Sequence, residues 1–337
     1  MNTSRMLSDE DFASAIHTAA RTRTRPQLRV AVVCGGTSSE AEVSRNSATE
    51  VIAALKTKGH DAFSLELGVD VFGQLSSHTP DVVFPVLHGG AGEDGSFQGA
   101  LEIMGLPYVG SSVEASCLAM HKPRAKLVFA DAGLPIVPGT ALPARDYSAS
   151  DIANLLKTYG PEVVIKPSSE GSALGVTFCS QPEPLLTLLQ DAQASSRRLM
   201  LERRIVGKEV TVGVLEVDDA LFAFTPIEIR TPEHTWYDFE HRYAVGGSQH
   251  VIPASLDRGV LDALRNIALR AHQALGCRHL SRADFIVTAE GEPFLLEVNT
   301  LPGMTKTSLF PDGAAHAGVD FPTLVDHLAQ SALMVMI

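Results

Sequence analysis

Apolar positions along this chain switch between two rhythms, and the switches mark out alternating strands and helices. Residues 28–34 form a β-rich run that ends at Gly35-Gly36. Val43, Ser47, Val51 and Leu55 then recur at helical spacing until Gly59, a residue type that commonly ends a helix. Residues 61–67 read as a second strand. Residues 81–87 read as a third, nearly all apolar, as a parallel strand covered on both faces should be. It runs into His88-Gly89-Gly90, and glycine-rich turns after the carboxyl ends of parallel strands are where open α/β sheets bind ligands. The pattern predicts an α/β protein whose first unit, residues 28–120, is a small doubly wound parallel-sheet domain.

Two further units follow. Residues 121–213 carry helices over 122–131 and 151–159, with Gly133 and Pro135 breaking the first, and strands over 162–167, 199–203 and 209–217. Residues 214–337 hold more strands, a polar loop over 231–249 and a helix over 256–275. Two apolar runs come next, 283–287 and 293–298, separated by Glu290-Gly291-Glu292, the turn signal of a β-hairpin. Neither internal repeats nor low-complexity tracts occur. The first 27 residues are an N-terminal extension. They lack the apolar core of a secretory signal, and Asp9, Glu10 and Asp11 argue against a transit peptide. Ser8 is placed to cap a short helix with Phe12, Ile16 and Ala19 on one face, and Arg21, Arg23, Arg25 and Pro26 read as a linker. The expectation is an extension that packs on the surface or frays.

Length and composition narrow the class. At 337 residues the chain suits two or three compact units, and its 45% apolar and 20% charged content is that of a globular protein with no run long enough to span a bilayer. A net charge of -12 argues against a nucleic-acid-binding surface and for a cytoplasmic protein, without excluding an anionic ligand whose charge local lysines and arginines would meet. Cys34, Cys117, Cys179 and Cys277 lack metal-ligand spacing and sit among apolar or small residues, so buried free thiols are expected.

Candidate chemistry is densest in the hairpin. Asp284 lies in its first run, and Glu297 and Asn299 close the second. Carboxylates in apolar strands cost several kcal/mol, roughly, to desolvate unless something neutralises them. Glu297 and Asn299, two residues apart, share a strand face, and three oxygen-bearing side chains suit a hard cation such as Mg²⁺. The alternative is a set of strand-end carboxylates facing solvent. Lys166, at a strand end, precedes the glycine-rich stretch Gly171-Ser172-Ala173-Leu174-Gly175, where backbone N–H groups form an anion cradle or the chain simply turns. The lysine precedes the glycines, so this is not a Walker A loop. Glu202 and Glu209 flank an apolar edge and offer acceptors for a nucleotide, or are solvated strand-end charges. His88 either contacts substrate or is structural, and Glu93 or Asp94 is placed to cap the following helix.

The order of these elements resembles the ATP-grasp superfamily, and closely the D-alanine–D-alanine ligases, from about Arg29 to the end of the chain. The resemblance rests on residues 35–44 (GGTSSEAEVS), 88–98 and 106–111, on Tyr237-Asp238-Phe239-Glu240 with Arg242-Tyr243, on Pro253-Ala254, on Arg282-Ala283-Asp284 and on 297–305 (EVNTLPGMT). It implies a three-domain ATP-grasp architecture and a Mg·ATP-dependent enzyme joining two D-alanines through an acyl phosphate for peptidoglycan. Asp284, Glu297 and Asn299 would hold two Mg²⁺ (or Mn²⁺) ions. Lys122, Lys166, Gly171, Glu202, Arg203, Glu209 and Arg242 would serve ATP. Glu40 would hold the first ammonium, with His88 close by and Ser172 and Tyr243 hydrogen-bonded to it. Arg282 and the Gly303 N–H would form the oxyanion hole, and Ser308 and Leu309 would meet the second carboxylate. The residues 231–249 would be the lid, and the partners small molecules and a second copy of the chain, with no membrane or nucleic acid.

Three positions depart from the family. Arg242 stands where lysine is usual, Ala173 where serine is usual, and His121 where aspartate is usual, which is expected to remove a helix cap. Tyr243 favours an amino acid over a hydroxy acid as second substrate. A specialised dipeptide ligase and a nucleotide-binding homologue without chemistry are the alternatives, and intact Arg282, Asp284, Glu297 and Asn299 speak against the latter.

Overall fold

The structure, a computed structural model, describes residues 5–21, 25–181, 184–196, 198–218, 220–232, 235, 237, 241 and 246–334. Three sheets organise it. The first is parallel, with β2 (Arg29–Cys34) between β3 (Asp61–Glu66) and β4 (Val82–Pro85). Alternation along β2 sends its side chains to two cores. Val30, Val32 and Cys34 pack with α2 (Ala41–Thr57), while Ala31 and Val33 pack with α3 (Val71–His78) and α4 (Ser96–Met104). Helices therefore cover both faces, as the apolar run at 81–87 requires.

The second sheet is antiparallel, in the order β5 (Gly139–Leu142), β8 (Leu199–Arg203), β6 (Val163–Pro167), β7 (Thr177–Cys179). It shares a core with α7 (Ala149–Tyr159) and α8 (Leu185–Ser195). Ser148 and Asp151 close a capping box at the start of α7.

The third sheet has seven strands around β9 (Lys208–Val217), which pairs with β10 (Ala220–Ala223), β11 (Ile227–Arg230) and β13 (Leu280–Val287). The boundary expected after residue 213 thus falls inside one continuous strand. β12 (Gln249–Val251) pairs with β11, and β14 (Pro293–Asn299) with β13, giving the hairpin read from the sequence. Val210, Val212 and Val214 face α9 (Arg258–Leu275), and Leu215 and Val217 face the opposite core. Two helices that precede the second sheet, α5 (Val113–Met120) and α6 (Lys122–Asp131), send Ala119, Ala125 and Phe129 into the α9 core. The apolar side chains of residues 121–131 therefore pack with the C-terminal unit, while Lys126 reaches Glu202 on the antiparallel sheet they precede. The chain closes with α10 (Leu309–His316) and α11 (Phe321–Ser331).

The N-terminal extension differs most from expectation. Its α1 (Asp9–Arg21) forms where the apolar stripe predicted, but Phe12 and Ile16 are fully buried in the core that holds α2, β10 and α11. Phe12 stacks on Phe222 at 3.8 Å between centroids, and β1 (Arg5–Met6) adds a parallel strand to β10. Asp9 meets Arg265 at 2.6 Å. The segment is part of the fold, because its stripe matches an aromatic surface about two hundred residues downstream. Among the cysteines, Cys34, Cys179 and Cys277 are buried free thiols as expected, whereas Cys117 is exposed. No helix among the described residues is long and apolar enough to cross a membrane.

Candidate active site

Strand register builds one polar face. Arg282 stands opposite Asn299 and Asp284 opposite Glu297, and side chains directly opposite on antiparallel strands point the same way. On the other side of β13, Gly213 and Thr211 are the partners of Arg282 and Asp284, which adds Thr211 to that face. A bulge after Asp284 leaves Leu296 without a partner, so Leu295 and Val298 both reach the α9 core while Glu297 and Asn299 stay on the polar side.

The Arg282 guanidinium is buried and forks onto Asp284, with Nε donating to Oδ1 at 2.8 Å and Nη2 to Oδ2 at 2.7 Å. Burial acts to lower the Arg282 pKa, but Asp284 outweighs it and the group stays firmly protonated. Thr211 Oγ1 donates to Asp284 Oδ1 at 2.6 Å. A carboxylate has about four lone-pair sites, and these three donors leave one on Oδ2. That lone pair, Glu297 and the Asn299 amide oxygen form a hard oxygen donor set on one face, which fits a divalent cation such as Mg²⁺. Asn299 Oδ1 also accepts the Leu301 N–H at 2.9 Å, which fixes its orientation. Lys122 Nζ lies 3.1 Å from Glu297 and donates to the Glu170 carbonyl at 2.6 Å, linking the hairpin to the start of the glycine-rich loop.

A cavity of about 910 Å³ opens over this face. Its lining brings together Glu40, His88, Lys122, Gly171, Ser172, Arg282, Glu297, Asn299, Gly303, Ser308 and Leu309 from all three sheet units. Ser172 Oγ donates to Glu40, closing the glycine-rich loop onto the first residue before α2. Ser172 and Ala173 both take left-handed backbone, with φ of 47° and 57°, a conformation that glycine adopts more easily. At Gly89 a Cβ would stand 3.2 Å from Glu40 Oε2, so the missing side chain lets that loop approach. His88 is buried, and burial pushes its imidazole below the usual range, aided by Arg282 and opposed by Glu40. Its Nε2 has no hydrogen-bond partner among the described residues. Ser308 Oγ accepts the Thr305 N–H at 3.1 Å, and Leu309 packs on Ile227 and Tyr237 at the cavity edge.

Glu93 does not cap α4. Asp94 accepts the Ser96 N–H at 2.9 Å, whereas Glu93 turns back to the Gly89 N–H at 2.5 Å. Burial raises the Glu93 pKa to about 8. His121 keeps the cap that its departure from aspartate was expected to lose: its Nδ1 accepts the Arg124 N–H at 3.4 Å. Burial lowers the His121 pKa, which keeps that nitrogen an acceptor.

Lys166, Glu202, Arg203, Glu209 and Asp284 do not line the cavity. Asp284 is engaged by the Arg282 guanidinium and the Thr211 hydroxyl. Glu209 Oε1 accepts the Tyr237 N–H at 3.4 Å. Glu202 is held between Lys126 and Lys166, at 2.5 and 2.6 Å. Arg203, the neighbour of Glu202 on a strand, points its side chain to the other face, is exposed, and donates to the Tyr159 carbonyl at 3.1 Å. Arg242 and Tyr243 lie outside the described residues, as does much of the 231–249 segment. Lys126 and Thr211 were missed. Both carry a sequence signal, since Lys126 falls on the buried stripe 122, 125, 126, 129 of α6 and Thr211 interrupts an apolar strand.

Known proteins resemble this chain over most of its length. The family model described as D-ala D-ala ligase C-terminus matches residues 128–330, and that described as D-ala D-ala ligase N-terminus matches 68–111. A D-alanine–D-alanine ligase of Citrifermentans bemidjiense is 43% identical over 90% of this chain and 96% of its own length. One of Halalkalibacterium halodurans is 39% identical over 91% of this chain and 99% of its own. Among solved structures, the Bacillus anthracis D-alanine–D-alanine ligase complexed with ATP superposes with a TM-score of 0.78 at 28% identity, covering 92% of this chain and 98% of that one. The D-alanyl-alanine synthetase A of Vibrio cholerae gives 0.81 at 26% identity, covering 93% of this chain and all of that one. The fold is that of the ATP-grasp ligases, and a likeness so even along the chain places this protein in the D-alanine–D-alanine ligase family.

Proposed function

We propose that the protein joins two D-alanines to D-alanyl-D-alanine with ATP, as a carboxylate–amine ligase of peptidoglycan synthesis. The observation that carries this reading is the single cavity exposing Glu40, Arg282, Glu297, Asn299 and Gly303 together. A carboxylate is a poor electrophile and needs activation. The first D-alanine, its ammonium on Glu40, attacks the γ-phosphorus of ATP through a carboxylate oxygen. The bond from that phosphorus to the bridging oxygen breaks, giving an acyl phosphate and ADP. Asp284, Glu297 and Asn299 would hold Mg²⁺, which would supply neutralisation of the phosphate charge. Lys122 and Lys166 add positive charge, Glu202 and Glu209 serve the nucleoside, and Arg242 and Tyr243 complete the lid.

The second D-alanine, its carboxylate near Ser308 and the Leu309 N–H, attacks the acyl carbon as a free amine after losing a proton. The carbonyl electron pair becomes an oxyanion. Arg282 gives two of its five N–H bonds to Asp284, leaving others for that oxygen beside the Gly303 N–H. Collapse expels phosphate, and a second proton leaves the nitrogen to give the amide. Water entering early would hydrolyse the acyl phosphate, and the Ser172–Glu40 contact supports closure against it. A cytoplasmic homodimer belongs to this reading. The net charge of -12 supports the compartment, and exposed Val69, Phe72 and Ile103 on the parallel-sheet unit supply apolar surface for a partner copy, which sedimentation checks.

The test is phosphate release from ATP with single and paired D- and L-amino acids, with products identified by mass. Release with D-alanine alone and a D-alanyl-D-alanine product is expected. Release only with other amino acids would indicate a specialised ligase, and none with any would leave a nucleotide-binding homologue.

A further inference from the structure

Lys126, Glu202 and Lys166 form a closed ionic triad beside the cavity. Lys126 Nζ lies 2.5 Å from Glu202 Oε1 and donates to the Val137 carbonyl at 3.0 Å, while Lys166 Nζ lies 2.6 Å from Glu202 Oε2. All three are buried, at 6%, 3% and 9% exposure for Lys126, Glu202 and Lys166. Two ammoniums thus share one carboxylate, an excess of one positive charge away from water. Burial pushes the Glu202 carboxyl up, yet Lys166 and Lys126 outweigh it and hold it below its ordinary value. The two lysines belong to different bodies of the fold. Lys166 is the penultimate residue of β6, which leads into the glycine-rich loop, whereas Lys126 sits on α6, anchored in the α9 core by Ala125 and Phe129.

An excess buried cation is favourable only when an anion comes to meet it. Lys166 is the partner assigned to turn, because it stands one residue before the end of β6, which runs into the loop bordering the cavity, while Lys126 is tied also to the Val137 carbonyl. If it turned with no other lysine present, Glu202 would be left as an unpaired buried carboxylate.

We propose that Lys126 is a positioning residue for the nucleotide: it remains on Glu202 and so releases Lys166 to the ATP that enters the site. This rests on the ATP-dependent reading above. With Lys126 present the nucleotide recruits Lys166 at little electrostatic cost. Without it, nucleotide and Glu202 compete for the one remaining ammonium.

Steady-state kinetics of the full chain test this. K126M should raise the KM for ATP about tenfold and leave both D-alanine KM values within about twofold, since only the nucleotide end loses a counter-ion. K126R, which keeps the charge, should restore most of the ATP affinity. In a K166M background the same K126M change should add less than about twofold, because it acts through Lys166. K126Q, which can still donate to Glu202, is the second variant should K126M fail to accumulate as folded protein, with the same result expected. An unchanged KM for ATP, an equal rise in the amino-acid KM values, or effects of K126M and K166M that multiply would each overturn the proposal. If the wild type releases no phosphate from ATP with any amino acid, it is the ligase reading that fails, and calorimetric ATP binding to K126M and wild type then decides on Lys126: a tenfold weakening supports its role and none refutes it.

Discussion

Glu93→Gln probes the charge balance at the centre of the site. Burial raises the Glu93 pKa from 4.5 to about 8, the charges of Glu40 and Glu297 push the same way, and the Gly89 N–H and Arg282 oppose them. For an acid whose folded pKa lies above its unfolded one, stability is complete below pH 4.5 and is lost as pH rises through about 8, because the unfolded chain ionises first. The full loss corresponds to about 5 kcal/mol, and about 3 kcal/mol of it is reached by pH 7. Glutamine keeps the shape and an acceptor for the Gly89 N–H but cannot ionise. Urea unfolding between pH 5 and pH 9 is the assay. The variant should exceed wild type by less than about 1 kcal/mol at pH 5, by about 3 kcal/mol at pH 7 and by about 5 kcal/mol above pH 8. Parallel stability curves across that range would refute the reasoning and place Glu93 in contact with water.

Three further outcomes follow from other parts of the fold. Phe12→Ala, which empties a fully buried site stacked on Phe222, should cost about 3–5 kcal/mol in urea unfolding, and a loss below about 1 kcal/mol would mean that α1 does not dock in solution. Asp284→Asn removes a carboxylate from the oxygen donor set and the fork that orients Arg282, so kcat should fall at least about a hundredfold, with the Mg²⁺ dependence shifted to higher concentration. At Gly213 a Cβ would stand 2.6 Å from the Phe224 ring and 2.9 Å from that of Phe310, the residue after Leu309. Gly213→Ala should therefore cost about 1–3 kcal/mol and raise the D-alanine KM more than that for ATP, which kinetics with each substrate varied in turn would show.

Much of the architecture was legible because it is written in local periods. The hairpin carrying Asp284, Glu297 and Asn299 follows from two apolar runs and a turn, and α6 spans the same ten residues in sequence and structure. What escaped depends on distant partners. The stripe of Phe12, Ile16 and Ala19 predicts a helix, but its burial depends on Phe222, Phe224 and Leu328, which no local window contains. The boundary expected at 213 falls inside β9, a strand also read from the sequence over 209–217, whose central place in its sheet depends on strands that come later in the chain. Arg203 and Lys126 were separable by periodicity alone. The first is one residue from Glu202 on a strand, and the second is four residues from Lys122 on a helix. His121 kept its capping role because a neutral imidazole nitrogen accepts an N–H much as a carboxylate oxygen does.

The ionic pairs of the site share one logic. Arg282 pairs with Asp284, Lys122 with Glu297, and Lys166 with Glu202, so these three cations, each proposed to meet phosphate or oxyanion, already hold a carboxylate. Each pair sets opposite charges together in a buried or half-buried place where a single charge would be costly. On the proposed ligase reading, an incoming anion would exchange partners with these pairs: phosphate would take the lysines, and the carboxylates they release would be left to hold a divalent cation. Such an exchange conserves the number of opposite-charge contacts, so binding need not desolvate a lone charge. It also makes the cations interdependent, since a carboxylate that loses its lysine must find the metal or a second lysine. Glu297 would have the proposed cation, whereas Glu202 has Lys126. The difference explains why the triad alone carries two lysines for one acid.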